Sequence, residues 1–133
     1  MIPPYNESGF LPPGVHPATL GEVESRRGRQ SELRRVQMES VRWMVELAVR
    51  AGVQRIVLNG SFVTDIMEPN DVDCVLLIGR GFPADPIADA ELNAGLPFLE
   101  MKLVGQVDFD DYVNVTFGTD RTGVPKGMIE ICP

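Results

Sequence analysis

The sequence predicts a small α/β domain of the α+β kind: one mixed β-sheet with helices packed mainly on one face. Three observations predict it. An amphipathic helical pattern runs over residues 31–51, with apolar positions at helical spacing. A run from Asp71 to Ile78 is apolar apart from Asp71 and Asp73, as in a strand buried on both faces. The order helix, helix, strand, strand, helix, strands suits a sheet with helices layered on it. With 133 residues the chain fits a single domain over 1–133. Its 44% apolar and 23% charged residues are ordinary for a globular chain.

The elements can be justified in order. Residues 1–18 form an extended, proline-rich arm, since Pro3, Pro4, Pro12, Pro13 and Pro17 punctuate it. Phe10, Leu11 and Val15 are expected to pin the arm to the body. Thr19-Leu20-Gly21-Glu22 reads as a capping box that opens a short helix ending near Gly28. Ser31 is a suitable N-cap for the long helix. Leu33, Val36, Val41, Met44, Leu47, Ala48 and Ala51 make its apolar stripe, and Gly52 follows as its C′ residue. Arg34, Arg35, Glu39, Arg42, Glu46 and Arg50 lie largely off that stripe, and Trp43 is expected at its edge.

Arg55 to Leu58 is a short β run that ends in Asn59-Gly60-Ser61. After a loop containing Glu68-Pro69-Asn70 comes the apolar strand 71–78, broken by Gly79, Gly81 and Pro83. Asp85 and Pro86 form an N-cap and N1 pair for a helix of about 86–94, with Gly95 just past its end. Glu100 to Gly105 is a candidate strand. Tyr112 to Phe117 and Gly127 to Ile131 read as two strands of a hairpin, joined by Thr119–Lys126 with Gly123 and Pro125.

Charge excludes some functions. The net charge is −7, unevenly placed: residues 22–55 hold eight Arg and five Glu, and the remainder holds four basic and fourteen acidic residues. The basic footprint needed for non-specific nucleic-acid binding is missing. No apolar run approaches the ~20 residues of a membrane helix, so no membrane partner is expected. The start, Met1-Ile2-Pro3-Pro4, has no basic region followed by an apolar one, and no signal peptide is expected. Cys74 and Cys132 lack metal-ligand spacing, which suits a reduced cytoplasmic setting. His16, between Val15 and Pro17, is expected to be structural, and the Arg26-Arg27-Gly28-Arg29 cluster a solvated helix end.

One constellation carries chemistry: Gly60-Ser61, nine residues, then Asp71-Val72-Asp73. Side chains alternate along a strand, so Asp71 and Asp73 point to one side, with Cα atoms about 6.6 Å apart. Two such carboxylates repel unless a cation lies between them. Oxygen ligands at that separation suit Mg²⁺ or Mn²⁺, with substrate phosphates and water completing the shell. Gly60 lets backbone approach a ligand closely. A short helical turn over 61–66 would present N–H groups to a phosphate, with the Ser61 hydroxyl adding a contact.

This arrangement resembles the nucleotidyltransferase superfamily typified by DNA polymerase β, whose signature is Gly-Ser followed at this distance by Asp-x-Asp on a strand. The stretch from Asn59 to Asp73 looks like a small bacterial and phage branch of it. That branch shares the Gly-Phe-Leu-Pro-Pro-Gly-Val-His opening at 9–16 and the Asp-Arg-x-Gly-x-Pro-Lys-Gly hairpin at 120–127. The resemblance spans nearly the whole chain. It implies that Asp71 and Asp73 are catalytic and hold Mg²⁺ (or Mn²⁺), while Gly60, Ser61 and Lys126 cradle the phosphates of a nucleoside triphosphate (NTP).

The resemblance also implies a third carboxylate on a neighbouring strand, to bind metal and take the acceptor's proton. By pattern it falls in the run 112–117, where Asn114 stands. An amide can ligate a metal but cannot act as a base. Asp108, Asp110 and Asp111 are alternatives, and Asp108, between Val107 and Phe109, has the best pattern. Two functions follow. One is a minimal nucleotidyltransferase that binds Mg-NTP and transfers a nucleoside monophosphate to a protein, an RNA end or a small molecule. The other is a catalytically weak or inactive binding module, such as the antitoxin partner in a toxin–antitoxin pair. The chain leaves no room for a separate acceptor domain, so a protein partner or a homodimer is expected to supply the acceptor.

Overall fold

The computed structural model describes residues 1–116, 118 and 122–133. Five strands form one sheet: β1 (Gly14–Thr19), β2 (Arg55–Asn59), β3 (Val72–Leu77), β4 (Leu99–Val104) and β5 (Gly127–Cys132). Their spatial order is β1-β5-β2-β3-β4. The outer pairs β1/β5 and β3/β4 are parallel; β5/β2 and β2/β3 are antiparallel. The α+β architecture expected from the sequence is therefore present.

Helices α1 (Leu20–Arg27), α2 (Glu32–Ala51) and α3 (Pro86–Ala94) cover one face of the sheet. Val23, Val41, Met44, Leu47 and Leu92 pack there against Ile56, Leu58, Cys74, Leu76 and Ile129. Each fully buried side chain of this kind contributes about 1.5–3 kcal/mol. The caps are as the sequence predicts. The Thr19 hydroxyl accepts from the Glu22 N–H, Ser31 from Arg34, and Asp85 from Ile87 and Ala88. Gly52 ends α2 at φ 89°. Only half of the first capping box is local, because the Glu22 carboxylate accepts from the Ile2 N–H at 2.7 Å.

The second face carries a smaller apolar cluster of Val57, Val75, Leu77, Phe109 and Met128. Phe109 belongs to α4 (Gln106–Asp111), which runs into a π-helical turn, Tyr112–Thr116. The Arg55 guanidinium lies 4.9 Å from the Phe109 ring centroid and is held by Glu130 through two hydrogen bonds of 2.6 and 2.9 Å. This face is thus closed at one end by α4.

Three expectations are corrected. The run 112–116 is helical rather than a strand, because Phe109, Tyr112 and Val113 fall at helical spacing and pack on the second face. β5 therefore has no hairpin partner there and pairs with β1 and β2. Phe117 and residues 119–121 of the expected hairpin, Asp120 and Arg121 among them, lie outside the described residues. The last residues of the arm are extended, as expected, and Gly14–Thr19 forms an edge strand beside β5. Arg27, expected at a solvated helix end, and Arg34, read as lying off the apolar stripe, are buried at 1% and 2% exposure. Trp43 is half exposed on α2. Among the described residues, no helix is long and apolar enough to cross a membrane.

Candidate functional site

The site forms at the end of the β2-β3-β4 stretch, on the sheet face opposite α1–α3. Asn59, Asp73 and Glu100 occupy adjoining register positions: Asn59 pairs with Asp73 across β2/β3, and Asp73 with Glu100 across β3/β4. Paired residues on neighbouring strands point to the same face. Leu99, Met101 and Leu103 of β4 pack with the helix-covered core, so Glu100 and Lys102 alternate to the other side.

Gly60 follows Asn59 with φ 84° and ψ −167°, a backbone conformation disfavoured for L side chains. A Cβ atom at this position would lie 2.5 Å from Oδ2 of Asp73. Both conditions require glycine, and together they set the backbone of the Gly-Ser turn directly against the Asp73 carboxylate. The expected helical turn is a 3₁₀ turn, Ser61–Val63. The Ser61 hydroxyl accepts from the Asn70 N–H at 2.7 Å. That bond joins the two ends of the loop, one beside Gly60 and the other beside Asp71.

The loop is fixed from below by α2. The buried Arg34 guanidinium donates to the carbonyls of Phe62 (2.7 Å), Thr64 (2.8 Å), Ile66 (2.5 Å) and Arg27 (3.1 Å). Charge-assisted bonds of this kind are about twice as strong as neutral ones. Ser31 donates to the Met67 carbonyl at 2.9 Å, and Gln37 to the Asn70 carbonyl at 2.9 Å. The arm holds the loop from the other side. The Tyr5 hydroxyl donates to the Thr64 carbonyl at 2.8 Å and Asp65 donates its N–H to the Gly9 carbonyl at 3.0 Å. The Arg27 guanidinium stacks 4.1 Å from the Tyr5 ring centroid.

Asp73 is half-buried, and its carboxyl titrates above the ordinary aspartate range. Burial is the main cause; the charge of Glu100 and a side-chain hydrogen bond to it come next. The Lys126 charge opposes the shift, and Asp71 adds to it least. The buried amide oxygen of Asn59, beside Asp73 in register, has no hydrogen-bond partner. Neighbouring carboxylates and an orphaned amide oxygen are what a divalent cation such as Mg²⁺ or Mn²⁺ would relieve. Among the described residues, no group of three or more His, Cys, Asp or Glu is gathered closely enough to hold a metal ion by itself.

The sequence-predicted residues are placed as follows. Gly60, Ser61 and Asp73 come together, and the Lys126 charge reaches Asp73. Asp71 stands exposed at a bend just before β3, rather than on the strand. Asp108 lies exposed on α4 and Asn114 exposed on the π-helical turn, so neither sits on a strand beside β3. The strand that does adjoin β3 brings Glu100, which sequence reasoning passed over. The available signal was the alternation Leu99-Glu100-Met101-Lys102-Leu103 after an α3 crossover, which makes β4 parallel to β3.

The two ends of the chain meet beside this site. The Gly127 N–H donates to the Leu11 carbonyl at 2.9 Å, and a Cβ at Gly127 would lie 2.1 Å from the Pro12 carbonyl oxygen. His16 bonds that same oxygen through Nε2 at 2.6 Å. A carbonyl only accepts, so Nε2 carries the proton and donates. His16 thus fixes the arm against β5, next to Lys126.

Residues 3–132 match a family model whose description is a family of unknown function, DUF6932. No curated protein and no solved structure matches the chain.

Proposed function

The chain belongs to that family, DUF6932, and we propose that it is a minimal metal-dependent nucleotidyltransferase that transfers a nucleoside monophosphate from an NTP to a hydroxyl-bearing acceptor. The observation that carries this reading is the register pairing of Asp73 with Glu100, with Asp73 set against the glycine backbone of a Gly-Ser turn. The reading gives Glu100 the part that sequence pattern assigned to Asp108 and Asn114.

Each residue then has a physical task. Asp73 and Glu100, with substrate oxygens and water completing the shell, would hold Mg²⁺, which supplies neutralisation of phosphate charge, and Asp71 would add negative charge beside them. Gly60 lets the phosphates approach main chain. The Ser61 hydroxyl, whose oxygen already accepts from Asn70, keeps its proton to donate to a phosphate oxygen. Lys126 adds a positive charge on the same side. In the transfer step the acceptor hydroxyl oxygen bonds to the α-phosphorus. The bond from the α-phosphorus to the bridging oxygen breaks, pyrophosphate leaves with the electron pair, and the hydroxyl proton passes to Glu100. The protein's contribution is positioning and charge stabilisation. Two free thiols, Cys74 and Cys132, suit a reducing cytoplasm.

A second reading has its own support. The described residues gather no three-ligand metal group, which favours a nucleotidyltransferase-like binding module, for instance an antitoxin-like partner of another protein. One experiment separates the two. Wild type and Glu100→Gln are incubated with α-labelled NTPs, Mg²⁺ and pools of RNA, protein or small-molecule acceptors. Label transfer that Glu100→Gln abolishes supports the enzyme. Mg-NTP binding without any transfer supports the module.

A further inference from the structure

We infer that Phe98 is the stacking platform for the base of the bound nucleotide, an inference that rests on the nucleotide reading above. Residues 96–99 form a tight turn closed by a 3.4 Å bond from the Leu99 N–H to the Leu96 carbonyl. Pro97 occupies its second position and Phe98 its third, with φ +65°. A turn with a positive φ at the third position calls for Gly or Asn. Phe98 is the one described non-glycine residue with positive φ, and for a bulky ring that conformation is a true outlier. Burial does not compensate it, because Phe98 is 40% exposed.

The place of this strained ring connects it with the site. The Phe98 carbonyl accepts from the Val72 N–H at 2.8 Å, and the register pairs Val72 with Leu99 and Asp73 with Glu100. Phe98 therefore stands level with Asp71, two residues before Glu100, at the strand ends that carry the carboxylates. Strained residues that the surroundings hold in place cluster at ligand-binding positions. An exposed ring with no hydrogen-bonding group beside a phosphate-binding turn suits the π-face of a nucleobase. Stacking of this kind tolerates any base, since every base has such a face.

The test is calorimetric binding of Mg·ATP, Mg·CTP and Mg·tripolyphosphate to wild type, Phe98→Gly, Phe98→Leu and Phe98→Trp. Loss of the ring should weaken Mg·ATP by about 5- to 150-fold. Tripolyphosphate binding should stay unchanged, and Phe98→Trp should bind Mg·ATP as wild type does. Phe98→Gly should unfold at no lower temperature than wild type, since glycine fits the turn; Phe98→Leu carries the test if it does not fold. Mg·ATP affinity within twofold of wild type in the ringless variants would overturn the stacking role and leave the nucleotide reading standing. Equal weakening of ATP and tripolyphosphate would also overturn it, because Phe98 would then act through the strand end. Wild type that binds neither ligand would remove the nucleotide reading, and this inference with it.

Discussion

Asp73 and Glu100 lie at the same register on neighbouring parallel strands, and burial together with the Glu100 carboxylate holds the Asp73 pKa above its ordinary range. Asp73 is half-buried and Glu100 exposed on the edge strand, and ionised carboxylates beside one another repel. Asp73 sits beside the glycine turn and the orphaned amide oxygen of Asn59.

That arrangement has a pH signature. Burial and Glu100 raise the Asp73 pKa above its ordinary 3.8. The folded chain therefore holds this proton more tightly than the unfolded chain. Its stabilising contribution is complete below the unfolded value and is lost as pH rises through the folded one. Without divalent cation, Asp73→Asn should be more stable than wild type at pH 7 by about 1 kcal/mol. The gain should vanish below about pH 4. Urea unfolding across pH 3.5–8 measures it; a gain independent of pH would contradict the account.

Gly60→Ala tests the contact between turn and carboxylate. Its Cβ would meet the Asp73 oxygen at 2.5 Å with φ at 84°. The expected loss of stability is about 1–3 kcal/mol, accompanied by loss of Mg²⁺ binding. Gly21→Ala in α1 is the comparison, since its nearest neighbour is 4.0 Å away. It should stabilise the chain by about 0.5–1 kcal/mol.

Arg34→Met tests the support beneath the loop. The substitution leaves the carbonyls of Phe62, Thr64 and Ile66 without their charged donor. A loss of at least about 3 kcal/mol is expected, with new protease cleavage within residues 61–70. Arg34→Lys should recover only part, because an ammonium cannot reproduce the planar fork of donors. Unfolding midpoints and limited proteolysis read both effects. A variant within about 0.5 kcal/mol of wild type would show that the loop is held otherwise.

Much of this was legible in sequence, for identifiable reasons. Ser31, Asp85 and Gly52 announce their helix ends because capping is local chemistry. Gly60-Ser61 and Asp71-Val72-Asp73 stand out because small and charged residues interrupt apolar runs. Three other features depend on distant neighbours. Arg34 reads as a surface charge until the loop carbonyls close around it. The run 112–116 is rich in β-branched residues, which favours a strand locally, yet packing of Phe109, Tyr112 and Val113 on the second face makes it helical. Glu100 gains its partner only through the β3/β4 register. The role expected of Asp108 or Asn114 followed from placing the neighbouring strand in the wrong segment.

The most direct test of the carboxylate pair as a cation and nucleotide site is thermal unfolding with each of the four NTPs, with and without Mg²⁺. Wild type, Glu100→Gln and Asp108→Asn are compared. A ligand at 100 times its Kd stabilises by about 2.7 kcal/mol, a shift of several degrees in a domain of this size. The account predicts a Mg²⁺-dependent shift in wild type and Asp108→Asn that Glu100→Gln abolishes. No shift with any nucleotide, or a shift that survives Glu100→Gln and is lost in Asp108→Asn, would contradict it.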